Sequence, residues 1–194
     1  MIDTIIQYTL LLYVLLFISS IASLAYRVKK TTGVFPIIKN TDTVYGFTDR
    51  ILLLSYILLI VNTLLYALGH LSVYEPLDAE PIKIVGFIIV TGAMITMYTA
   101  QLQMKKNWRI GIDTEHNTDL VQGGLFTHLL HPIYLCAVLI GIGLLFIAPA
   151  PSTIFTSFFV WVMVSIQARL EEAFMQSKFG ETYTEYKKKR KRYF

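Results

Sequence analysis

Two polar clusters interrupt an otherwise apolar second half of the chain, and both carry side chains able to do chemistry. The first is Thr127-His128-Leu129-Leu130-His131-Pro132-Ile133-Tyr134. Proline suits the first position of a helix, because its φ is already helical and its missing N–H would have had no partner. Pro132 therefore opens a helix and His131 caps it. The N–H groups of Ile133 and Tyr134 then point out of the helix end with no intrahelical acceptor. At a membrane boundary such donors suit an anion. The second cluster is Glu171-Glu172, directly after another apolar run. A carboxylate facing helix-end donors makes a pocket for a zwitterion, with the ligand's carboxylate on the N–H groups and its ammonium on the glutamate. Glu171 is assigned to the ligand. Glu172, about 100° further round the helix, is assigned to water or to a pair with Arg169 or Lys178. Gly141 and Gly143 fit either close helix packing or a stretch of bare backbone that admits a ligand. His128-x-x-His131 with Glu171 has the composition of a metal-ligand set. However, His131 precedes proline and His128 lies in a loop, so no shared face follows and no metal is assigned.

These groups must be positioned by membrane helices. The chain has 194 residues, 55% of them hydrophobic, and a mean hydropathy of +0.57, which is too apolar for a soluble domain of this length. Apolar segments at 5–26, 51–71, 82–104, 132–148 and 152–168 read as five transmembrane helices. Pro149-Ala150-Pro151 allows no helix to continue, so the last two form a tight helical hairpin, 132–168. The first loop carries Arg27, Lys29, Lys30, Lys39 and Arg50, and the second carries Glu75, Asp78 and Glu80. Lys105, Lys106 and Arg109 follow the third segment. By the positive-inside rule the N-terminus is outside and the C-terminus cytosolic, in a multi-pass protein of the cell membrane. The hairpin then brings His131 and Glu171 to one cytosolic face. The expected fold is an all-α integral membrane bundle with a cytosolic pocket built from the C-terminal half. Residues 1–104 form a lipid-facing scaffold of three spans, and residues 105–194 form the binding region.

The net charge is +4, yet Lys187-Lys188-Lys189-Arg190-Lys191-Arg192 alone carries more than that, so the rest of the chain is net negative. This argues against a nucleic-acid partner and for anionic lipids at the basic tail. A short helix from about 182, with Tyr183 and Tyr186 on one face, is expected flat on the inner leaflet. The single cysteine, Cys136, excludes an intramolecular disulfide. The apolar spans carry no acid or base between their ends, which argues against an ion-coupled transporter.

Six pieces occur in order: Asp119-Leu120-Val121, Gly124-Leu125-Phe126, His131-Pro132-Ile133-Tyr134, Gly141-Ile142-Gly143, Glu171-Glu172 with Met175, and Phe179-Gly180 with Tyr183 and Tyr186. Together they resemble the C-terminal signature of the isoprenylcysteine carboxyl methyltransferase family, which is sometimes grouped with phospholipid methyltransferases. The resemblance runs from Trp108 onward, and the first three spans carry no signature. It implies a membrane methyltransferase that moves a methyl group from S-adenosylmethionine to the carboxylate of a prenylated cysteine or a similar lipid-linked acceptor. It also implies that the amino-acid end of the cofactor sits at His131, Pro132, Ile133, Tyr134 and Glu171. The adenosyl part is implied against Asp119, Leu120, Val121 and Phe126. Two arginines of the pattern are replaced, by Leu130 and by Gln167. Gln167 and Arg169, about 200° apart on a helix, are the candidates to orient the acceptor. A carboxylate is already nucleophilic and needs no base, so no catalytic residue is named. Two other activities remain open. One is a phospholipid N-methyltransferase, in which His128 or a glutamate would take the amine proton. The other is a sterol-reductase-like oxidoreductase using NADPH.

Overall fold

The computed structural model describes residues 2–38 and 43–193. Lys39, counted above among the charges of the first loop, lies outside the described residues. Six α-helices follow one another: α1 (Ile2–Thr32), α2 (Val44–Ala67), α3 (Glu80–Met104), α4 (Pro132–Ile147), α5 (Pro151–Phe179) and α6 (Glu181–Lys188). Among the described residues there is no strand, only two isolated bridges, Ile37 with Ile110 and Leu129 with Lys191. Helices α1, α2, α3 and α5 are each long and apolar enough to cross a membrane. Helix α4 has 16 residues and is roughly 24 Å long, short of a hydrocarbon core of about 30 Å. Of the five segments expected from the sequence, four reach spanning length in the structure.

Several helices outrun their apolar segments for local reasons. α1 continues through Lys29 and Lys30 to Thr32, since cations at a C-terminus complement the helix dipole. α2 begins at Val44, because Thr43 caps it by accepting from the Gly46 N–H at 3.2 Å. α5 runs past both glutamates to Phe179 and is ended by Gly180, whose φ of 55° is a left-handed conformation that favours glycine.

The helices meet through small residues. A Cβ placed on Gly143 would lie 2.8 Å from the Gly86 carbonyl oxygen of α3 and 2.7 Å from Val90 Cγ2. Gly141 packs on α5, and its carbonyl oxygen accepts from Ser157 Oγ at 3.0 Å. The glycine pair therefore serves helix packing. One glycine faces α3 and the other α5, and no bare backbone is left there for a ligand. Asn62 of α2 donates to Thr153 of α5 at 2.8 Å, with both residues buried. At the end of the bundle where α1 and α3 begin, buried Lys83 sits 2.6 Å from Asp3 and 2.7 Å from Asp78.

The other end is covered by the segment 105–131. Its first half folds around Asp113, which accepts from Arg109 Nε at 2.9 Å and from the backbone N–H groups of Glu115 and His116. Burial alone would raise the Asp113 carboxyl. The His116 and Arg109 side chains and the two backbone donors outweigh it and hold the carboxyl below its ordinary range. Lys178 of α5 pins the segment through the His116 carbonyl at 3.1 Å and Thr118 Oγ1 at 3.0 Å. The first loop joins it, with Ile38 N–H donating to the Ile110 carbonyl and Ile110 N–H to that of Pro36, both at 2.9 Å.

Candidate cofactor and acceptor site

Beneath this cover lies a cavity of about 430 Å³. Asp119, Leu120, Val121 and Phe126 line it from the cover, His131, Pro132, Ile133 and Tyr134 from the start of α4, and Glu171 and Gln167 from α5. Ten of the eleven residues singled out in the sequence thus share one space. Arg169 does not. It is exposed and stands off the cavity, as its position about 200° round the helix from Gln167 requires.

The start of α4 has the expected geometry. His131 is the N-cap residue and Pro132 occupies the first turn. The Leu135 N–H is the first to join the ladder, reaching the His131 carbonyl at 3.0 Å. The N–H groups of Ile133 and Tyr134 precede it at the cavity wall. The His131 ring stacks on that of Tyr134, with centroids 5.5 Å apart and planes at 17°. Its Nδ1 faces Glu171 Oε2 at 3.5 Å and its Nε2 faces Glu172 Oε1 at 3.3 Å. The Tyr134 hydroxyl donates to Glu171 Oε1. Burial by itself would lower the proton affinity of His131. The two carboxylates outweigh burial and raise it above its ordinary value.

Glu172 departs from its sequence assignment. It neither faces water nor pairs with Arg169 or Lys178. Its side chain is only 4% exposed and forms a bidentate pair with Arg192, Nε at 2.6 Å and Nη2 at 3.0 Å, with Lys187 Nζ at 2.7 Å. Glu171 is the more open of the two, at 26%. The reason lies in the tail. Leu130 N–H donates to the Lys191 carbonyl at 2.9 Å and His131 N–H to that of Arg192 at 3.4 Å, so the tail lies along the residues that lead into α4. Tyr186 Oη and Arg190 Nε both donate to the Phe126 carbonyl, at 2.8 and 3.0 Å. α6 does not present its tyrosines to a leaflet. Tyr183 and Tyr186 are buried against Leu130 and line the cavity. Lys187, Arg190 and Arg192 of the basic cluster are held to the protein, by Glu172 and the Phe126 carbonyl, while remaining part-exposed.

Sequence reasoning missed the contribution of the first three helices. Phe17 of α1, Asp49 and Tyr56 of α2, and Met97 and Gln101 of α3 all line the cavity, so residues 1–104 are more than a scaffold. Gln167, 1% exposed, donates from Nε2 to Asp49 Oδ1 at 2.7 Å. The available signal was an acidic residue at the mouth of an apolar run, a place where ionisable side chains face the bundle interior. The rim of the same cavity includes Ile18 of α1 and Leu53 and Ile57 of α2, which are exposed on the outer surface of the bundle. The space therefore opens sideways between α1 and α2.

The helix-end donors of α4, the partly open Glu171 carboxylate and a mostly apolar wall thus share one space in a bundle of membrane-length helices. The model of the phospholipid methyltransferase family matches residues 82–182, just over half of the chain, and no curated protein matches it. The chain belongs to the phospholipid methyltransferase family, in the membrane methyltransferase group that also contains the isoprenylcysteine carboxyl methyltransferases. It is accordingly a multi-pass membrane methyltransferase. The match starts at Ile82, in the first turns of α3, and so takes in a whole helix upstream of the motifs. Methyltransferases of this family generally use S-adenosylmethionine.

Proposed function

We propose that this protein transfers a methyl group from S-adenosylmethionine to the polar head of a lipid-borne acceptor. The observation that carries the reading is one cavity with two kinds of wall. It is polar at the start of α4 and at Glu171, and it is rimmed by exposed Ile18, Leu53 and Ile57 where it opens sideways. When bound, S-adenosylmethionine supplies an activated methyl on a sulfonium. The Ile133 and Tyr134 N–H groups receive the carboxylate of its amino-acid end, and Glu171 receives the ammonium. Asp119, Leu120, Val121 and Phe126 enclose the adenosyl part. Phe17, Tyr56 and Met97 exclude water from the acceptor, which desolvates its nucleophile and holds it in line.

In this reading the cover and tail face the cytosol, the N-terminus is outside, and α4 completes a fifth crossing of the cell membrane, as a hairpin with α5. The resemblance described above supports a prenylcysteine carboxylate as the acceptor group. A second reading, an amine-bearing phospholipid head, is favoured by the Asp49 carboxylate in the cavity wall beside Gln167, where an arginine would suit a carboxylate better. Calorimetry in detergent tests the cofactor: S-adenosylhomocysteine binds and NADPH does not, and the reverse overturns the reading. Transfer of a labelled methyl group to membrane lipids then separates the acceptors. Mild base releases an ester methyl as methanol and leaves an N-methyl in place.

A further inference from the structure

Both ring nitrogens of His131 face carboxylates, Nδ1 toward Glu171 Oε2 at 3.5 Å and Nε2 toward Glu172 Oε1 at 3.3 Å. An ionised carboxylate only accepts, so both neighbours are satisfied together by an imidazolium, which carries a proton on each nitrogen. Glu171 is also the group assigned above to the ammonium of S-adenosylmethionine. Two cations therefore claim one carboxylate. We propose that the imidazole of His131 is itself part of the ammonium site: on binding, Nδ1 gives up its proton to solvent, and the lone pair left on Nδ1 accepts a hydrogen bond from the ligand's ammonium. The inference rests on the cofactor placement proposed above. It adds a second acceptor to that placement and makes proton release part of binding.

Three features of the site carry it. The first is the charge count. Glu171 and Glu172 already meet three cations, His131, Lys187 and Arg192. A ligand ammonium would add a fourth, and a like charge a few ångströms away disfavours the charged form of its neighbour. Arg192 keeps its proton at any working pH, and Lys187, 46% exposed, can turn to water. His131 is buried and is the one whose ordinary titration falls near neutral pH. Burial works against its charged form, and the two carboxylates outweigh burial, so the free protein carries the proton that binding expels. The second feature is the tautomer. Glu172, fixed by Arg192 and Lys187, keeps a proton on Nε2. A neutral His131 therefore has its lone pair on Nδ1, against Glu171 Oε2, and two acceptors so placed repel unless a donor lies between them. The third is spacing. Atoms 3.5 Å apart can both lie about 2.9 Å from a single nitrogen set to one side of the line joining them, and the cavity borders both residues. The Tyr134 hydroxyl takes the other oxygen of Glu171. The remaining groups around His131 are the rings of Tyr134 and Tyr193, while Asp49 and Tyr56 of α2 and Tyr183 of α6 line the same cavity.

The test is calorimetry of S-adenosylhomocysteine binding in detergent, run in phosphate and in Tris between about pH 6 and 8. Up to about one proton leaves per ligand bound, read as a heat that depends on the buffer. Because binding releases a proton, affinity rises with pH, by up to about tenfold per pH unit, and levels off above the pKa of His131 in the free protein. 5′-Methylthioadenosine keeps the adenosyl part and lacks the ammonium, so its binding releases no proton. His131→Asn supplies an acceptor that cannot titrate, and it binds S-adenosylhomocysteine with a flat pH profile and no buffer-dependent heat. If that variant does not fold, the proton count of the unmodified protein decides alone. Binding of S-adenosylhomocysteine without proton release overturns the role of His131 and leaves the cofactor reading intact. Equal release with both ligands, or an unchanged slope in folded His131→Asn, does the same. Absence of S-adenosylhomocysteine binding overturns the cofactor reading and this inference with it.

Discussion

The two adjacent glutamates do different work, and the difference is one of partners. Glu171 keeps an open edge toward the cavity, with the Tyr134 hydroxyl and His131 on its other side. Glu171→Gln keeps size and removes charge, so a charge-assisted bond to a ligand ammonium becomes a neutral one, worth roughly 1.5–3 kcal/mol less. S-adenosylmethionine affinity is expected to fall about ten- to a hundredfold with the fold retained, as read by calorimetry. Glu172→Gln instead leaves Arg192, Lys187 and His131 without their common anion. Both cations are part-exposed and can turn to water, so the expected cost is on the order of 1–3 kcal/mol of stability, read by unfolding in detergent. Equal behaviour of the two variants in both measurements contradicts this division.

His131 adds a pH dependence of definite sign. Its folded pKa is raised above the ordinary value of about 6.5 by Glu171 and Glu172, against its own burial. The stabilisation is therefore complete below that ordinary value and is lost as pH rises through the raised one. The groups facing it are the two glutamates, with Lys187 and Arg192 on the far side of Glu172 and the rings of Tyr134 and Tyr193 beside it. Melting temperature is expected to decline from near neutral pH upward, and His131→Asn is expected to flatten that slope. An identical slope in the variant removes His131 as its source.

At the scale of elements, the contact between α3 and α4 is the one with least tolerance. Gly143→Ala forces a methyl against Val90 and the Gly86 carbonyl. Overpacking of this kind costs about 1–3 kcal/mol, and a circular-dichroism melt should show it, while Gly92→Ala, with nothing within 4 Å, should be neutral. What was legible in the sequence follows the same line between local and remote. Pro132 and Gly180 mark helix ends by their own backbone preferences, so the start of α4 and the end of α5 could be placed without knowing any neighbour. The hydropathy of 82–104 located α3 nearly to the residue. The Asp49–Gln167 bond spans 118 positions, and no period or cap encodes it. Arg192 looked like one of six interchangeable cations, because only the three-dimensional return of the tail shows which of them meets Glu172. α4 starts and ends within a residue of the apolar segment 132–148, and it stays short because Pro132 opens it, Pro149 and Pro151 follow it, and the residues before it form a 3₁₀ turn at Gly124–Thr127 and a contact with the tail.

At the scale of the whole molecule, the alternation of charge between the two ends makes orientation testable. Ser72, after α2, and Ser177, near the end of α5, are both exposed. Cysteines placed there in a Cys136→Ala background should label from opposite sides of sealed vesicles, and labelling from one side would contradict the proposed orientation. The contact of Arg192 and Lys191 with residues 130–172 has a further meaning in time. A ribosome makes His131 and Glu172 before it makes the residues that clasp them. On the proposed five-crossing reading, the apolar segments can therefore be handed to the membrane while the pocket still lacks the wall that the tail supplies. On the proposed function, competence then follows insertion, and a nascent chain still being threaded into the bilayer has no finished place to hold the methyl donor.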